Sequence, residues 1–243
     1  MTFKIIIGFE RQEALSHEGC HHYLANNHAD LVLSIPEFKK YMHGYVQNFA
    51  DYSLREQGLL KFQADAVAEL WFESFAKAGE AFTVPRYLEL IRPDERKFAD
   101  FSRIICTGVN EHLIWDEAGQ GHYKLLRFLV AKTNDVKAGL EQIYSQEAMN
   151  RLEAKYKAKD SVYRYVRNWP LAEAQAVFLS ILPVFCVEEF WLSETISDAE
   201  KASFIEELKS DQNIRSGFDH SQTVIIPAIG KSVINPPFID KKH

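Results

Sequence analysis

The sequence predicts an α+β fold made of two consecutive βαββαβ units. Three observations support this prediction: the two halves carry matching apolar segments, each half has the same order of predicted elements, and a glycine-containing segment separates them. At an offset of 120 residues, 3–6 matches 123–126, 45–49 matches 165–169, 69–72 matches 189–192, Phe98 matches Phe218 and 104–105 matches 224–225. We therefore predict a tandem duplication with units at residues 1–115 and 123–243 and a linker at 116–122.

The composition excludes several classes of protein. The chain has 243 residues, 47% of them hydrophobic, which is enough for a substantial core. Its net charge of −6 argues against a nucleic-acid surface or an anionic membrane as partner. No apolar run is long enough to span a membrane, and the first residues lack the features of a secretory signal. We expect a cytoplasmic protein whose three cysteines, Cys20, Cys106 and Cys186, are free buried thiols.

The first unit begins with the apolar strand FKIIIGFE. Ser16 is the expected cap of a helix that packs one apolar face on the sheet and ends at Pro36. Next come a second strand in KKYMHGYVQNF and a third in AVAELWFES. A helical region interrupted by Pro85 and Pro93 ends in the helix PDERKFADF, and RIICTGVNEHLIW is the fourth strand.

The second unit repeats this order. YKLLRFLVA is its first strand, and Asn134 is the expected cap of a long helix over 135–157. SVYRYVRNW and VFCVEEFWL are the next two strands, with the helix-like segment AEAQAVFLSIL between them. Ser197 and Glu200 have capping-box spacing and open the last helix, and TVIIPAIGKSVI closes the unit.

A family resemblance lies in the segment LSHEGCHHYLANNHADLVLSIPEFKKYMHGYV. The pattern consists of Leu15, Ser16, Tyr23, His28, Ala29, Leu31, Pro36 and Tyr41. In these positions the chain resembles the EthD-like proteins of the dimeric α/β-barrel superfamily, and the ELWF strand and PDERKF helix are also similar to theirs. The resemblance implies two ferredoxin-like repeats whose sheets face each other in an intramolecular barrel.

The same resemblance implies a function. It suggests a cofactor-independent lyase, isomerase or cyclase that acts by proton transfer on an aromatic or polyketide-like carbonyl compound, in a degradation or secondary-metabolism pathway. Two alternatives remain open: a cofactor-free monooxygenase of a phenolic substrate, and a non-catalytic binding or accessory protein. The expected partner is an apolar aromatic or polyketide-like small molecule, and a homodimer of the two-unit chain is a further expectation.

His28 is the predicted catalytic base and Tyr45 the predicted donor to an oxyanion. His28 lies four residues after Leu24 and so borders the helix face that packs on the sheet. Neutral imidazole near pH 7 is suited to proton abstraction. The equivalent position in the second half is Ala148, so we expect any such chemistry in the first half. The alternative is a histidine at the edge of the core that bonds to the backbone.

Tyr41, His43, Gly44 and Trp71 are the predicted substrate-binding residues. Strict alternation places Tyr41, His43 and Tyr45 on one face of the second strand, where cross-strand aromatic packing is the alternative interpretation. EthD-like chains often read Tyr-x-x-Asn-His here, whereas this chain has Gly44 and Tyr45 in the last two places. Gly44 removes a side chain and is predicted to leave room for a ligand.

The remaining polar groups are predicted to be structural. Glu69 and Glu189 are duplicated carboxylates inside the barrel, one of them neutralised by Arg167. His17 and His21 have the spacing of a metal pair, but nothing completes a ligand set, so we expect no metal.

Cofactor motifs are also missing from the sequence. Haem proteins of the superfamily with tandem repeats take their axial histidine from the second half, where only His220 and His243 remain, so we expect no haem. Nucleotide-binding and serine-hydrolase motifs are absent from the sequence. We therefore expect no cofactor.

Overall fold

The computed structural model describes residues 3–54, 62–117, 121–131, 150, 154–157, 161–178, 180–210, 218–219 and 221–237. Within these residues, eight strands close into one antiparallel barrel in the order β1-β3-β2-β8-β5-β7-β6-β4. The strands are β1 (Phe3–Arg11), β2 (Met42–Ala50), β3 (Ala66–Phe72), β4 (Ala99–Asp116), β5 (Tyr123–Val130), β6 (Val162–Pro170), β7 (Val184–Leu192) and β8 (Val224–Ile234).

The ring consists of two four-stranded sheets, one from each half of the chain. The first has the order β4-β1-β3-β2 and the second the order β8-β5-β7-β6, which is the strand order of a βαββαβ unit. The sheets join edge to edge, because β2 pairs with β8 and β4 pairs with β6. Closure leaves no free sheet edge in the ring.

Strand registers are the same in both halves for three of the four strands. Phe3 pairs with Phe72 and Tyr123 with Leu192, while Tyr45 pairs with Leu70 and Tyr165 with Phe190, each equivalent pair 120 residues apart. The register of the fourth strand against the first differs by one residue between the halves. Ile7 faces Cys106, whereas Arg127, the equivalent of Ile7, faces Ile225. The sequence alignment of 104–105 with 224–225 was therefore wrong by one position, and so was that of Phe98 with Phe218.

Seven α-helices have both ends within the described residues, with two π-helical stretches continuous with them, and residues 154–157 are also helical. The α-helices are α1 (His17–His22), α2 (Ala29–Leu33), α3 (Pro36–Lys39), α4 (Phe75–Phe82), α5 (Arg92–Glu95), α6 (Ala172–Gln175) and α7 (Asp198–Ser210), and the π-helical stretches are Tyr23–His28 and Tyr87–Ile91. None of them is both long and apolar enough to cross a membrane.

The caps predicted at Ser16 and Ser197 formed, whereas Asn134 lies outside the described residues, and three predicted helix boundaries were wrong. Ser16 accepts a hydrogen bond from Gly19 N–H, and Ser197 and Glu200 form the reciprocal bonds of a capping box. The first helix ends at Leu33, and Pro36 instead opens α3, where its missing N–H costs nothing. PDERKFADF is helical only to Glu95, because β4 begins at Ala99, and AEAQAVFLSIL contains only the four-residue α6. The long helix predicted after Asn134 lies mostly outside the described residues.

Apolar side chains pack on both faces of the ring. Ile6, Val67, Leu126 and Val187 come from four strands and pack together inside the barrel. On the outer face of the first sheet, Ile5 and Leu70 pack against side chains of the helices, among them Val32, Ile35 and Ile91. The outer face of the second sheet is covered in the same way by α7 and Tyr156. The polar groups described next lie in these two layers.

Candidate functional site

His28 lies between the helices and the outer face of the first sheet. Its residue is only 6% exposed, and its ring meets the edge of Phe98 with 4.8 Å between centroids. It is the last residue of the first π-helical stretch, in which the N–H of Ala29 reaches back five residues to the carbonyl of Leu24. Such wide turns often mark functional positions.

Asp94 holds one nitrogen of this imidazole. The Nδ1 atom of His28 lies 2.9 Å from Oδ2 of Asp94, and both side chains are buried. Because an ionised carboxylate only accepts hydrogen bonds, a neutral His28 carries its proton on Nδ1 and its lone pair on Nε2. Nε2 is then the atom available to take a proton.

Two further donors fix the Asp94 carboxylate. The hydroxyl of Tyr23 donates to Oδ1 at 2.5 Å, and Lys97 Nζ donates to the same oxygen at 2.9 Å. Burial by itself raises the pKa of Asp94, but the hydrogen bonds from His28, Tyr23 and Lys97 outweigh it and hold that pKa well below its ordinary value. The carboxylate therefore stays ionised beside the imidazole at neutral pH.

Glu95, the next residue, brings a second carboxyl to the same layer. It accepts a hydrogen bond from the Tyr87 hydroxyl at 3.0 Å. Burial raises the pKa of Glu95, although His28 and Tyr87 act in the opposite direction. Its negative charge contributes to the raised pKa values of Tyr45 and Cys106, so these groups surround one region above the sheet.

Tyr45 lies on the outer face of β2, in the same layer as His28. The amide nitrogen of Gln47 donates both to the Tyr45 hydroxyl and to the carbonyl of Leu24, each at 2.9 Å. Burial raises the pKa of Tyr45, so its phenol stays protonated. The structure thus places both predicted catalytic residues, His28 and Tyr45, on one side of one sheet.

A β-bulge separates the predicted substrate-binding residues from this layer. The pairing of β2 with β3 shifts between Met42 and Gly44, which breaks strict alternation at His43. His43 is exposed, and half-buried Tyr41 packs at the edge of the apolar cluster on the outer face. The prediction that Tyr41, His43 and Tyr45 share one strand face was therefore wrong, because sequence alone does not reveal the extra residue of a bulge.

Gly44 and Trp71 face the barrel interior. A Cβ on Gly44 would lie 2.7 Å from Cα of Pro236 and 3.0 Å from the Trp71 ring, so no room for a ligand exists there. Lys4 Nζ lies over the Trp71 ring, 4.6 Å from its centroid. The structure does not bring either residue to His28.

Charged groups neutralise one another at the centre of the barrel. Lys4 bonds to Glu69 and Glu189, and Lys124 bonds to the same two carboxylates. Asn48 and Asn168 each donate to one of these carboxylates at 2.7 Å. The two glutamates lie in the interior as predicted. Arg167 is not their partner, because it bonds to Glu188 on the opposite face of β7.

His17 and His21, which have the spacing of a metal pair, bond to Asp65. His17 Nδ1 lies 2.9 Å from the Asp65 carboxylate, and His21 Nε2 lies 2.9 Å from the Asp65 carbonyl. Tyr52 donates to the same carboxylate at 2.8 Å. Within the described part of the chain, no group of three or more metal-binding side chains is arranged around one point.

Of the predicted free thiols, Cys20 and Cys186 are buried, whereas Cys106 retains some exposure. The haem alternative depended on His220 and His243, and both lie outside the described residues. Ala148 also lies outside them.

Sequence reasoning missed three residues of this layer: Asp94, Glu95 and Gln47. Asp94 and Glu95 lie in the segment PDERKF, which carries part of the family resemblance and returns over the sheet beside His28. A search for a carboxylate partner of His28 in that segment would have found Asp94. Gln47 lies two residues after Tyr45 on the same face of β2, and only its contacts with Tyr45 and Leu24 reveal its place in this layer.

The eight-stranded ring with helices outside it has the fold of the dimeric α/β barrels. Solved structures support this assignment at the level of the fold. They include an anthrone oxidase-like protein (TM-score 0.62, 7% identity, 97% of this chain and 95% of that chain covered). A candidate monooxygenase from Fusobacterium nucleatum has a TM-score of 0.51 at 6% identity, with 95% of this chain and 93% of that chain covered. A variant chlorite dismutase from Candidatus Nitrospira defluvii has a TM-score of 0.51 at 11% identity, with 93% of this chain and 91% of that chain covered.

Residues 12–102 match the EthD domain family. This matched segment contains His28, Tyr45, Asp94 and Glu95. No curated protein matches the sequence.

Proposed function

We propose that this chain is an enzyme that moves protons on a small aromatic or polyketide-like carbonyl compound without a cofactor, as a lyase, isomerase or cyclase. The observation that carries the proposal is the buried pair of His28 and Asp94, 2.9 Å apart, in the half that contains the EthD match. A carboxylate that fixes the imidazole tautomer and leaves Nε2 free is the arrangement that a general base requires.

The proposed chemistry uses only side chains of this chain. Nε2 of His28 takes a proton from the carbon next to the substrate carbonyl, and the electron pair of that C–H bond moves to form an enolate. The buried Tyr45 hydroxyl donates a hydrogen bond to the enolate oxygen. The imidazolium, stabilised by Asp94, returns the proton to another atom of the substrate, or to the alkoxide formed when the enolate carbon attacks a second carbonyl.

A cofactor-free monooxygenase is the second candidate, and the same histidine favours it. Removal of a phenolic proton by Nε2 gives an electron-rich phenolate, and such an anion reacts with dioxygen. The substrate itself supplies the electrons, so one oxygen atom enters the product and the other leaves as water. A binding or accessory protein is the third candidate; it would use the same space without turnover.

We also infer that the barrel arose by tandem duplication of one βαββαβ unit, with a boundary at residues 116–122. Equal registers in three of four strands support this inference. The paired barrel-interior residues Lys4 and Lys124, Glu69 and Glu189, and Asn48 and Asn168 support it as well. Whether two such chains associate is testable by sedimentation.

The function is tested by proton exchange on model ketones. We would incubate the protein with 2-tetralone in D₂O and follow loss of the α-proton signals by NMR. Changing His28 to Ala should lower the protein-dependent exchange rate by roughly 10²–10⁴, the scale of general-base catalysis. The matched control is His43→Ala, which removes an exposed histidine from β2 and should leave the rate unchanged.

The outcomes of these measurements distinguish the three candidate functions. Oxygen uptake with anthrone that depends on His28, without ketone exchange, would favour the monooxygenase. Ligand binding without either reaction would favour the binding protein. If His28→Ala keeps full exchange activity per folded molecule, the histidine is structural and the proposal is wrong.

A further inference from the structure

The outer face of the second sheet is filled where that of the first is not. In the second half, Arg127 Nε donates to Glu188 at 2.7 Å, Arg167 Nε lies 3.2 Å from the same carboxylate, and Tyr165 donates to it. All four side chains are buried. Together they occupy the space above the middle strands of the second sheet.

The equivalent positions of the first half carry smaller or uncharged residues. Arg127 corresponds to Ile7, Glu188 to Ala68 and Arg167 to Gln47, while Tyr165 corresponds to Tyr45. Ile7 and Cys106 face each other on β1 and β4, and each of these strands is paired on both sides. Both residues nevertheless keep accessible surface. Accessible surface therefore remains above the first sheet at Ile7 and Cys106, on the side of Glu95, whose charge contributes to the raised pKa of Cys106; we call this region the outer cleft.

Two polar groups beside the outer cleft each have one hydrogen-bonding function unused: an acceptor on Gln47 and a donor on Tyr45. The Gln47 amide nitrogen donates to the Leu24 carbonyl, which fixes the orientation of the amide and leaves Oε1 as an acceptor. That oxygen is buried and has no hydrogen-bond donor. The Tyr45 hydroxyl accepts from Gln47, so its own proton is free to be donated, and no acceptor for it occurs among the residues that the structure describes. A buried acceptor and a buried donor side by side are costly unless something pairs with them.

We propose that Tyr45 and Gln47 bind a neutral hydroxyl group, phenolic or enolic, of a ligand in the outer cleft. Such a group accepts a hydrogen bond from Tyr45 and donates one to Oε1 of Gln47. A ketone or ether oxygen only accepts, and an ammonium group only donates, so each leaves one of the two protein groups unpaired. This inference rests on the proposed function, since it assigns the substrate class of that same site. It implies that the site binds the enol or phenol form of such a compound more tightly than its ketone form.

The experiment compares two ligands of nearly equal shape. Binding of 1-naphthol and of 1-methoxynaphthalene is measured by calorimetry, because the ether keeps the acceptor and loses the donor. Wild type should bind 1-naphthol about tenfold more tightly, the value of one neutral hydrogen bond. Gln47→Met should abolish this preference, because it removes the acceptor that only the naphthol hydroxyl can use. Tyr45→Phe should weaken both ligands by a similar factor, and His43→Ala should leave both affinities and the preference unchanged.

A second variant tests the location. The triple substitution Ile7→Arg, Ala68→Glu and Gln47→Arg copies the side chains that fill the second half, and it should abolish binding of both ligands in a folded protein. Equal affinities in wild type, no binding of either ligand, a preference that survives in Gln47→Met, or unchanged affinities in Tyr45→Phe would overturn the proposal.

The His28→Ala variant keeps the two proposals distinguishable. It should retain the preference for 1-naphthol while losing proton exchange. If wild type shows proton exchange but no preference for 1-naphthol, the hydroxyl site alone is refuted. If His28→Ala keeps full proton exchange while the preference remains, the proposed function alone is refuted.

Discussion

Nδ1 of His28 and Oδ2 of Asp94 lie 2.9 Å apart between the helices and the outer face of the first sheet, and both residues are buried. The two residues are 66 positions apart, on different helical segments that both pack on the first sheet. The pair gives the imidazole a defined tautomer, and its free nitrogen lies in the half of the barrel whose outer face is not filled by charged side chains.

The hydrogen bond from Tyr23 to Asp94 should make stability depend on pH. A carboxylate whose folded pKa is depressed adds stability above its unfolded pKa of about 3.9, and this contribution disappears as the pH falls through the folded value. Tyr23→Phe removes one neutral donor and should cost about 1–2 kcal/mol near neutral pH, because the acceptor is charged. The difference from wild type should shrink between about pH 5 and about pH 2 in urea unfolding.

The control for this experiment is Tyr163→Phe. Tyr163 is half-buried like Tyr23, but its hydroxyl donates to the backbone carbonyl of Gly121 at 2.7 Å, which does not titrate. The loss in free energy of unfolding caused by Tyr163→Phe should stay constant over the same pH range. A Tyr23→Phe difference that is equally constant would contradict the ionised Asp94.

Neutralising Glu69 should destabilise the barrel strongly. Glu69→Gln leaves Lys124 with Glu189 at 3.4 Å and Lys4 with Glu189 and Glu111, and loss of one member of a buried charge network costs about 3–5 kcal/mol. Urea unfolding measures the change. In the exposed pair of Lys77 and Glu80, Glu80→Gln should cost less than about 0.5 kcal/mol. Similar costs for both variants would mean that the interior charges are solvated.

Two glycine substitutions test the packing at the bulge. Gly44→Ala would bring Cβ within 2.7 Å of Pro236 and should cost about 1–3 kcal/mol. Gly79→Ala, in helix α4 with no atom within 4 Å of its Cβ, should stabilise the protein by about 0.5–1 kcal/mol. Thermal unfolding distinguishes these opposite signs. A neutral Gly44→Ala would instead agree with open space for a ligand at that position.

The sequence predicts most of the barrel because strand periodicity and the 120-residue match are local properties of the chain. The segment VFCVEEFWL, for example, matches the strand Val184–Leu192. The bulge at His43 and the one-residue shift of the fourth strand were not predictable, because each depends on the register against a neighbouring strand.

The same limit applies to the site. His28 and Tyr45 were found through a motif, whereas their partners come from tertiary contacts. Asp94 reaches His28 only because α5 returns over the sheet. Arg167 contacts Glu188 rather than Glu189 because successive strand residues point to opposite faces of the sheet. Sequence spacing alone does not indicate which of several carboxylates a side chain will contact.

The tautomer of His28 is the most direct test of the account. Nitrogen-15 NMR of histidine-labelled protein at neutral pH, assigned with the His28→Ala variant, reports which ring nitrogen carries the proton. The account predicts a protonated Nδ1 and an unprotonated Nε2 for the neutral ring, with the preference for this tautomer lost in Asp94→Asn. A neutral His28 with its proton on Nε2, or an unchanged spectrum in Asp94→Asn, would contradict the claim that Asp94 prepares His28 as the base.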